Sequence, residues 1–287
     1  MTETIIPSGP NADQIKYWNA EAGTKWSEFN PQLDRMLAPL SAVVIDCAAP
    51  VAGEQVLDIG CGCGDTTMAL ARRVAPDGAI TGVDISTPML DVARRRATDD
   101  DLPITLFNAD AETHDLGAAR FDLAFSRFGV MFFNNPEAAF ANIGGALRPG
   151  GRLTFVCWQP LAHNPWARIP FEAIRHLMPP ADPPDPHAPG PFAFADSERV
   201  KGIITAAGFE DVAVNGYESI MKNGEGDLDT CVRGIMNLGP AARMLREADE
   251  ATMAAAAKAV RDAVGPYHTG NTLELSSAVW IVTGRRP

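Results

Sequence analysis

The chain has 287 residues, enough for one large domain or one domain with a cap, and its apolar (46%) and charged (21%) fractions are those of an ordinary globular protein. Its 24 basic and 36 acidic residues leave a net charge of −12, which repels phosphate backbones and argues against nucleic acid as a partner. The chain has no apolar run of the roughly 18 residues that a membrane span needs, residues 1–11 do not read as a signal peptide, and the five scattered cysteines suit free thiols, so the expected location is cytoplasmic.

Residues Ile15 to Phe29 carry Tyr17, Trp18, Trp26 and Phe29 at near-helical spacing. Leu33 to Ala48 reads as a second, amphipathic helix with Leu33, Leu37, Leu40, Val44 and Ile45 on one face. From Gln55 onward strand and helix alternate: strand 55–59, helix 66–75, strand 79–84, helix 86–97, strands 103–108 and 121–126, helix 135–147 and strand 151–157. Alternation of this kind predicts an α/β fold, a doubly wound Rossmann-like parallel sheet covered by helices. Beyond Trp158 the pattern loosens, and seven of the thirteen residues from Pro179 to Pro191 are proline, as in a lid. A helix at 197–207, a strand at 211–217, a helical stretch at 228–264 and a last strand at 273–283 follow. The expected organisation is an N-terminal helical segment, 1–50, over the site and a main domain, 51–287, with a lid at 159–195 and a helical cap insert at about 224–268.

The chemistry concentrates in Gln55 to Asp65. Val56, Leu57 and Ile59 form a buried-strand run that opens into a loop with glycine at 60, 62 and 64, and a helix follows. Such a loop lets a ligand approach backbone closely. Asp58 lies two positions before the first glycine, a poor neighbour for a pyrophosphate and a good one for a cation. Dinucleotide sites space their glycines as Gly-x-Gly-x-x-Gly, whereas here Asp65 holds the third place. Asp84 ends the next apolar segment 20 residues beyond Gly64, where an acid can accept the hydroxyls of a ribose. Asp110 and Ala111 end the third strand and can recognise an adenine edge. Ser126 to Phe128 end the fourth. A ligand with a ribose, a positive charge and no phosphate satisfies this order. Arg72-Arg73 and Arg94-Arg95-Arg96 fall toward helix ends and read as structural complements to the dipole. Cys61 and Cys63 lack a second Cys or His pair at zinc spacing, so no metal is expected.

These motifs, covering Val51 to Trp158, resemble the class I S-adenosylmethionine-dependent methyltransferases, the group that includes ubiquinone and menaquinone C-methyltransferases and many small-molecule enzymes. The resemblance implies a seven-stranded sheet with an antiparallel last strand and S-adenosyl-L-methionine as cofactor. Asp58, Gly60, Cys61, Gly62, Gly64 and Thr66 would lie around its methionine part. Asp84, Ile85 and Met89 would take the ribose and one adenine face, and Asp110 and Ala111 the adenine edge. Ser126, Phe128 and Met131 would line the floor near the sulfonium. In similar proteins a segment like Tyr17-Trp18-Asn19 folds over the cofactor, with Trp26 beside it, although these aromatics equally suit packing of the first helix.

Methyl transfer from a sulfonium needs alignment above all, and an oxygen or carbon nucleophile usually also needs a base. His163, His268 and Tyr17 are the leading candidates, with Tyr267 beside His268 and with His114, His176 and His187 behind them. The run Ser126-Arg127-Phe128-Gly129 departs from the Asn/Asp-Pro-Pro-aromatic sequence of enzymes that methylate amide or base nitrogens. The divalent-metal catechol enzymes need acidic ligands that are not identifiable here. Trp158, Trp166, Phe171, Phe192, Phe194 and Tyr217 offer apolar surface for a small aromatic or lipid-like acceptor. The expected partner is therefore a small-molecule acceptor, with no nucleic acid and no membrane span, and a homodimer is the assembly to test. A protein that binds the cofactor without transferring its methyl group, and an NAD-dependent oxidoreductase, remain the competing readings.

Overall fold

The computed structural model describes residues 5–179 and 185–287, so part of the proline-rich run lies outside the described residues. The main sheet runs β3(Ile104–Asn108), β2(Ala79–Asp84), β1(Gln55–Ile59), β4(Phe121–Arg127), β5(Leu147–Trp158), β8(Thr272–Arg285), β6(Glu210–Glu225), and a two-residue β7(His268–Thr269) pairs with β8. The first five strands and β6 run parallel to one another, and β8 is antiparallel to both of its neighbours. This is the expected doubly wound sheet with one strand more than the seven expected, the short β7.

Central parallel strands are covered on both faces and read as continuous apolar runs. Accordingly Val56, Leu57, Leu123, Ala124 and Phe125 are fully buried. From β1 the chain steps outward through α4(Asp65–Val74) and α5(Thr87–Asp99) to β3, then returns to β4 and steps the other way through α6(Pro136–Ala146). Right-handed crossovers in opposite directions put α4 and α5 on one face and α6 on the other, and leave a crevice where the order reverses, between β1 and β4.

Before the sheet, the predicted helix at 15–29 is broken at Ala20 into α1(Ala12–Asn19) and α2(Glu21–Glu28), followed by α3(Asn30–Ala48). Asn19 fastens this segment to the end of β2: its amide donates to Ile85 O at 2.7 Å and accepts from Thr87 N at 2.9 Å.

Two differences from the sequence reading shape the site. Residues 159–195 are not loop throughout, because Pro165–Arg175 form the helix α7. The predicted strand 211–217 is a longer one: β6 and β8 pair past Tyr217 to Glu225, about 23 Å beyond the end of β5. That pair rises past the carboxyl rim of the parallel strands and carries α9(Leu228–Asn237), α10(Gly239–Met244) and α11(Glu250–Val264). The single predicted helical stretch is thus three helices, and Asp227 and Asp249 start α9 and α11 by accepting from Thr230 N and Thr252 N. These helices form their own apolar core with α7 around Ile174, Cys231, Val260 and Leu273.

Candidate functional site

The glycine loop sits at the switch point between β1 and β4. Gly60 has φ +65°, and a Cβ there would lie 2.6 Å from Gly129 Cα, so the two strand ends touch through bare backbone. Ser126 ties them together: its hydroxyl donates to Ile59 O at 2.7 Å and accepts from Gly129 N at 3.2 Å. Ser126 is fully buried in that role and does not reach the cavity floor assigned to it. From α5, Arg96 donates to Cys63 O at 3.1 Å and to Asp34 Oδ2 at 3.0 Å, which anchors the loop to α3.

Each of the three acids occupies a different environment. Asp58 is wholly buried; its Oδ2 accepts from Thr66 Oγ1 at 3.0 Å and Thr67 Oγ1 at 2.7 Å, and its Oδ1 has no partner. Burial pushes its carboxyl up to about 6, against the two threonine hydroxyls that favour the charge. Asp84 is half-buried at the tip of β2, where Oδ2 accepts from Gly62 N at 2.8 Å and Oδ1 from Ser86 N at 2.7 Å. Burial raises it to about 6 as well. Asp110 Oδ1 accepts from Glu112 N at 3.0 Å and from Asn11 Nδ2 at 3.5 Å.

A raised carboxyl binds protons in the folded state that the unfolded chain has already released. The stability associated with protonated Asp58 is therefore present below about pH 3.8 and is lost as pH rises through about 6. In urea titrations of the ligand-free protein, Asp58→Asn is expected to flatten the fall in unfolding free energy between these pH values. An unchanged profile would show that Asp58 is not the buried proton acceptor described here.

One continuous cavity joins this rim to the helices above it. About 1460 Å³ of open space, the solvent at its mouth included, lies between them. The polar end is formed by Asn11, Gly60, Asp84, Ile85, Asp110 and Ala111. Met89, Phe128, Gly129 and Met131 form the waist, and Trp18 and Trp26 line the cavity from the N-terminal helices. The far end is apolar, with Leu33, Met36, Trp158, Trp166, Ile235 and Leu238. Phe128 holds a left-handed φ of +63° and stacks on Trp158 with ring centroids 4.1 Å apart. A non-glycine residue in that region is strained by about 1–3 kcal/mol, and such strain gathers at functional sites.

Asp58, Cys61, Gly62, Gly64 and Thr66 lie behind the cavity wall rather than on it. Cys61 and Cys63 are buried thiols whose pKa is driven up by desolvation first and by the Asp84 charge second, Cys63 to about 12, so neither is a thiolate at neutral pH. The three candidate bases are all off the cavity. His163 turns back on a 3-10 turn, with Nδ1 3.2 Å from Gln159 Oε1. His268 Nε2 lies 2.9 Å from Gly226 O. Tyr17 packs beneath Arg243, whose guanidinium carbon is 5.3 Å from the ring centroid. Of the aromatics expected around the acceptor, Trp158 and Trp166 line the space, whereas Phe194 is 1% exposed in the core, packed near Phe140 and Phe155.

Asn11, Arg127 and Asn223 line the cavity and were not singled out from the sequence. The signal for Arg127 was its place at the end of β4; it donates at 2.6 Å to both Asp65 Oδ2 and Ser41 Oγ. No sequence pattern marks Asn11 or Asn223.

The residues present fit a cationic nucleoside. Asp58 Oδ1 is a buried carboxylate oxygen without a donor, Asp84 and Asp110 are acceptors, and the Gly60 to Gly129 contact leaves no room for a side chain beside them. Residues 56–151 match a family described as a methyltransferase domain. Over 118 residues the chain is 38% identical to an aklanonic acid methyltransferase, DauC, of a Streptomyces species, covering 41% of this chain and 54% of that protein. Over 150 residues it is 33% identical to the ubiquinone/menaquinone biosynthesis C-methyltransferase UbiE of Bordetella parapertussis, covering 51% of this chain and 58% of that one. The matches thus span little more than half the length of these relatives. A phosphoethanolamine N-methyltransferase structure from Haemonchus contortus shares the fold with a TM-score of 0.58 at 16% identity, covering 98% of this chain and 60% of that one. Over its strand-and-helix core, residues 56–151, the chain is thus similar to methyltransferases. That neighbour's structure is a complex with S-adenosylhomocysteine. No helix of the described residues is long and apolar enough to cross a membrane.

Proposed function

We propose that the protein transfers a methyl group from S-adenosylmethionine to a small, largely apolar acceptor whose nucleophile needs no base from the enzyme. The observation that carries this reading is the continuous cavity, polar at the β1/β2 rim and apolar beneath α7, α9 and α10. Asp84 and Asp110 would hold the ribose and adenine, and Asp58, with its unpaired oxygen, would favour positive charge nearby. When bound, the cofactor supplies an electrophilic methyl group. The chain's part is alignment: Phe128, Trp158 and Met131 narrow the waist, and a fixed approach can supply about 7–11 kcal/mol of the barrier.

Among the described residues, the titratable side chains on the cavity are Asp84, Asp110 and Arg127. With the two acids engaged by the cofactor and Arg127 paired to Asp65, the nucleophile must arrive already acidic or electron-rich. Carboxylic acids, enolisable dicarbonyls and hydroxyarenes meet that requirement. The names of the two relatives, one an aklanonic acid methyltransferase and one a C-methyltransferase of ubiquinone/menaquinone biosynthesis, are consistent with such acceptors. His163→Ala and His268→Ala are accordingly expected to leave kcat within about threefold of wild type, the scale of ordinary surface substitutions. A loss of a hundredfold or more in either variant would restore that histidine as the base.

Calorimetric titration with S-adenosylmethionine, S-adenosylhomocysteine and NAD tests the cofactor, and binding of NAD alone would overturn the proposal. Release of S-adenosylhomocysteine in the presence of hydroxyarenes, β-diketones and arene carboxylic acids tests the transfer. Cofactor binding with no turnover on any of these classes would favour the reading as a binding protein without transfer activity.

A further inference from the structure

Most polar groups that line the cavity are engaged near its rim. Two buried amides on the cavity each keep an oxygen without a hydrogen-bond partner, Asn11 at the rim, whose nitrogen reaches Asp110, and Asn223 in the apolar half, 6% exposed. The Asn223 amide nitrogen meets only the sulfur of Met36, at 3.8 Å, a weak acceptor. Rotating the amide by half a turn would set its oxygen against that sulfur, which cannot donate, and leave both ends without a partner. An unsatisfied buried amide costs about 1–3 kcal/mol.

The backbone is built to aim this side chain inward. On β6 Lys222 pairs with Glu274 and Gly224 with Leu273, so Asn223 is an extra residue with no partner of its own. It forms a β-bulge, which breaks the alternation of faces: Asn223 and Gly224 are both buried where one would otherwise face solvent. Gly224 then lets α9 sit against the strand, since a Cβ there would lie 2.6 Å from Cys231 Sγ and 3.0 Å from Cys231 Cα. Around the amide the far end of the cavity offers Met36, Trp158, Trp166, Ile235 and Leu238.

We infer that Asn223 is a specificity-determining residue that takes a hydroxyl group on an otherwise apolar, aromatic acceptor. A phenolic or enolic hydroxyl both donates and accepts, so it satisfies the amide in either orientation. This inference deepens the proposed function and rests on it. Its substrate class is a hydroxyarene or an enol, and Asn223 orients it from the side remote from the cofactor end.

The test uses the full chain saturated with S-adenosylhomocysteine and titrated with naphthalene, 1-naphthol and 1-methoxynaphthalene. 1-Naphthol is expected to bind about tenfold more tightly than its methyl ether, which cannot donate. In Asn223→Leu that preference should shrink to within twofold while the affinity for S-adenosylhomocysteine is unchanged. Asn223→Asp, which keeps an accepting oxygen at the bulge, should retain the preference, a rescue that a purely steric role would not give. Equal affinities for naphthol and ether in the wild type, as expected if an ordered water satisfies Asn223, would overturn the inference. So would a preference that survives Asn223→Leu. Failure of all three probes with S-adenosylhomocysteine still bound overturns the inference alone, whereas failure of S-adenosylhomocysteine to bind overturns the proposed function with it.

Discussion

Gly60→Ala is expected to abolish measurable cofactor binding, with at least a hundredfold loss of affinity for S-adenosylhomocysteine, and to lower stability by about 2–4 kcal/mol. Two effects combine at this residue. Its φ of +65° is a backbone state that an alanine holds only with strain of about 1–2 kcal/mol. The added methyl would also lie 2.6 Å from Gly129 Cα, a backbone atom that cannot rotate away. Either β1 or β4 must move at its carboxyl end, and those ends define the polar rim of the cavity. Thermal unfolding followed by circular dichroism measures the stability term, and calorimetry measures the binding term. Gly145→Ala is the control: that glycine sits exposed in α6 with nothing within 4 Å of an added Cβ. It should gain about 0.5–1 kcal/mol from helix propensity and leave binding untouched. Full binding in Gly60→Ala would mean that the loop is more plastic than its contacts with Gly129 imply.

The same contrast explains what could be read from the sequence. Central parallel strands announce themselves, because burial on both faces forces runs such as Val56-Leu57 and Leu123-Ala124-Phe125, and the helices between them carry their own periodicity. The positions of Asp58, Asp84 and Asp110, at or just past the ends of β1, β2 and β3, were legible because the strands themselves were. The apolar half of the cavity was not, because it is assembled from elements whose local signals mislead. Pro165 opens α7 and Pro170 lies inside it, so a helix reads as loop. β6 is an edge strand with mixed exposure, and the bulge at Asn223 erases the alternation that would have marked its inner face. His163 follows the carboxyl end of β5 by five residues, but the turn at Leu161–His163 points it to Gln159 instead of the cavity, a direction that spacing alone does not encode. Arg127 was quoted only for what its run lacks, yet its pairing with Asp65 and Ser41 joins β4, α4 and α3 at the cavity wall.

Asp84→Ala should weaken S-adenosylhomocysteine binding by about 3 kcal/mol, the upper end of what one charge-assisted acceptor is worth. The sequence alone supports about 1–3 kcal/mol for a lost ribose contact. The structure adds a second cost, because the carboxylate also receives Gly62 N at 2.8 Å and Ser86 N at 2.7 Å. Without it one backbone donor in the glycine loop and one at the start of α5 lose their acceptor, and the loop loosens. Asp84→Asn separates the two costs. It keeps the shape but offers one accepting oxygen in place of two, and its NH₂ would face Gly62 N or Ser86 N, so it should lose nearly as much as alanine. The ionisation of Asp84 adds a pH signature. Burial holds the ligand-free carboxyl up at about 6, and a ligand that donates hydroxyls to it favours the charged form. Affinity should therefore rise as pH increases through about 6, and binding near that pH should release protons, seen as a dependence of the calorimetric heat on buffer ionisation enthalpy. Because Asp58 has a similarly raised carboxyl, Asp84→Ala should shrink the proton release rather than eliminate it. An unchanged release in that variant would assign the titrating group to Asp58 and remove Asp84 from the ribose site.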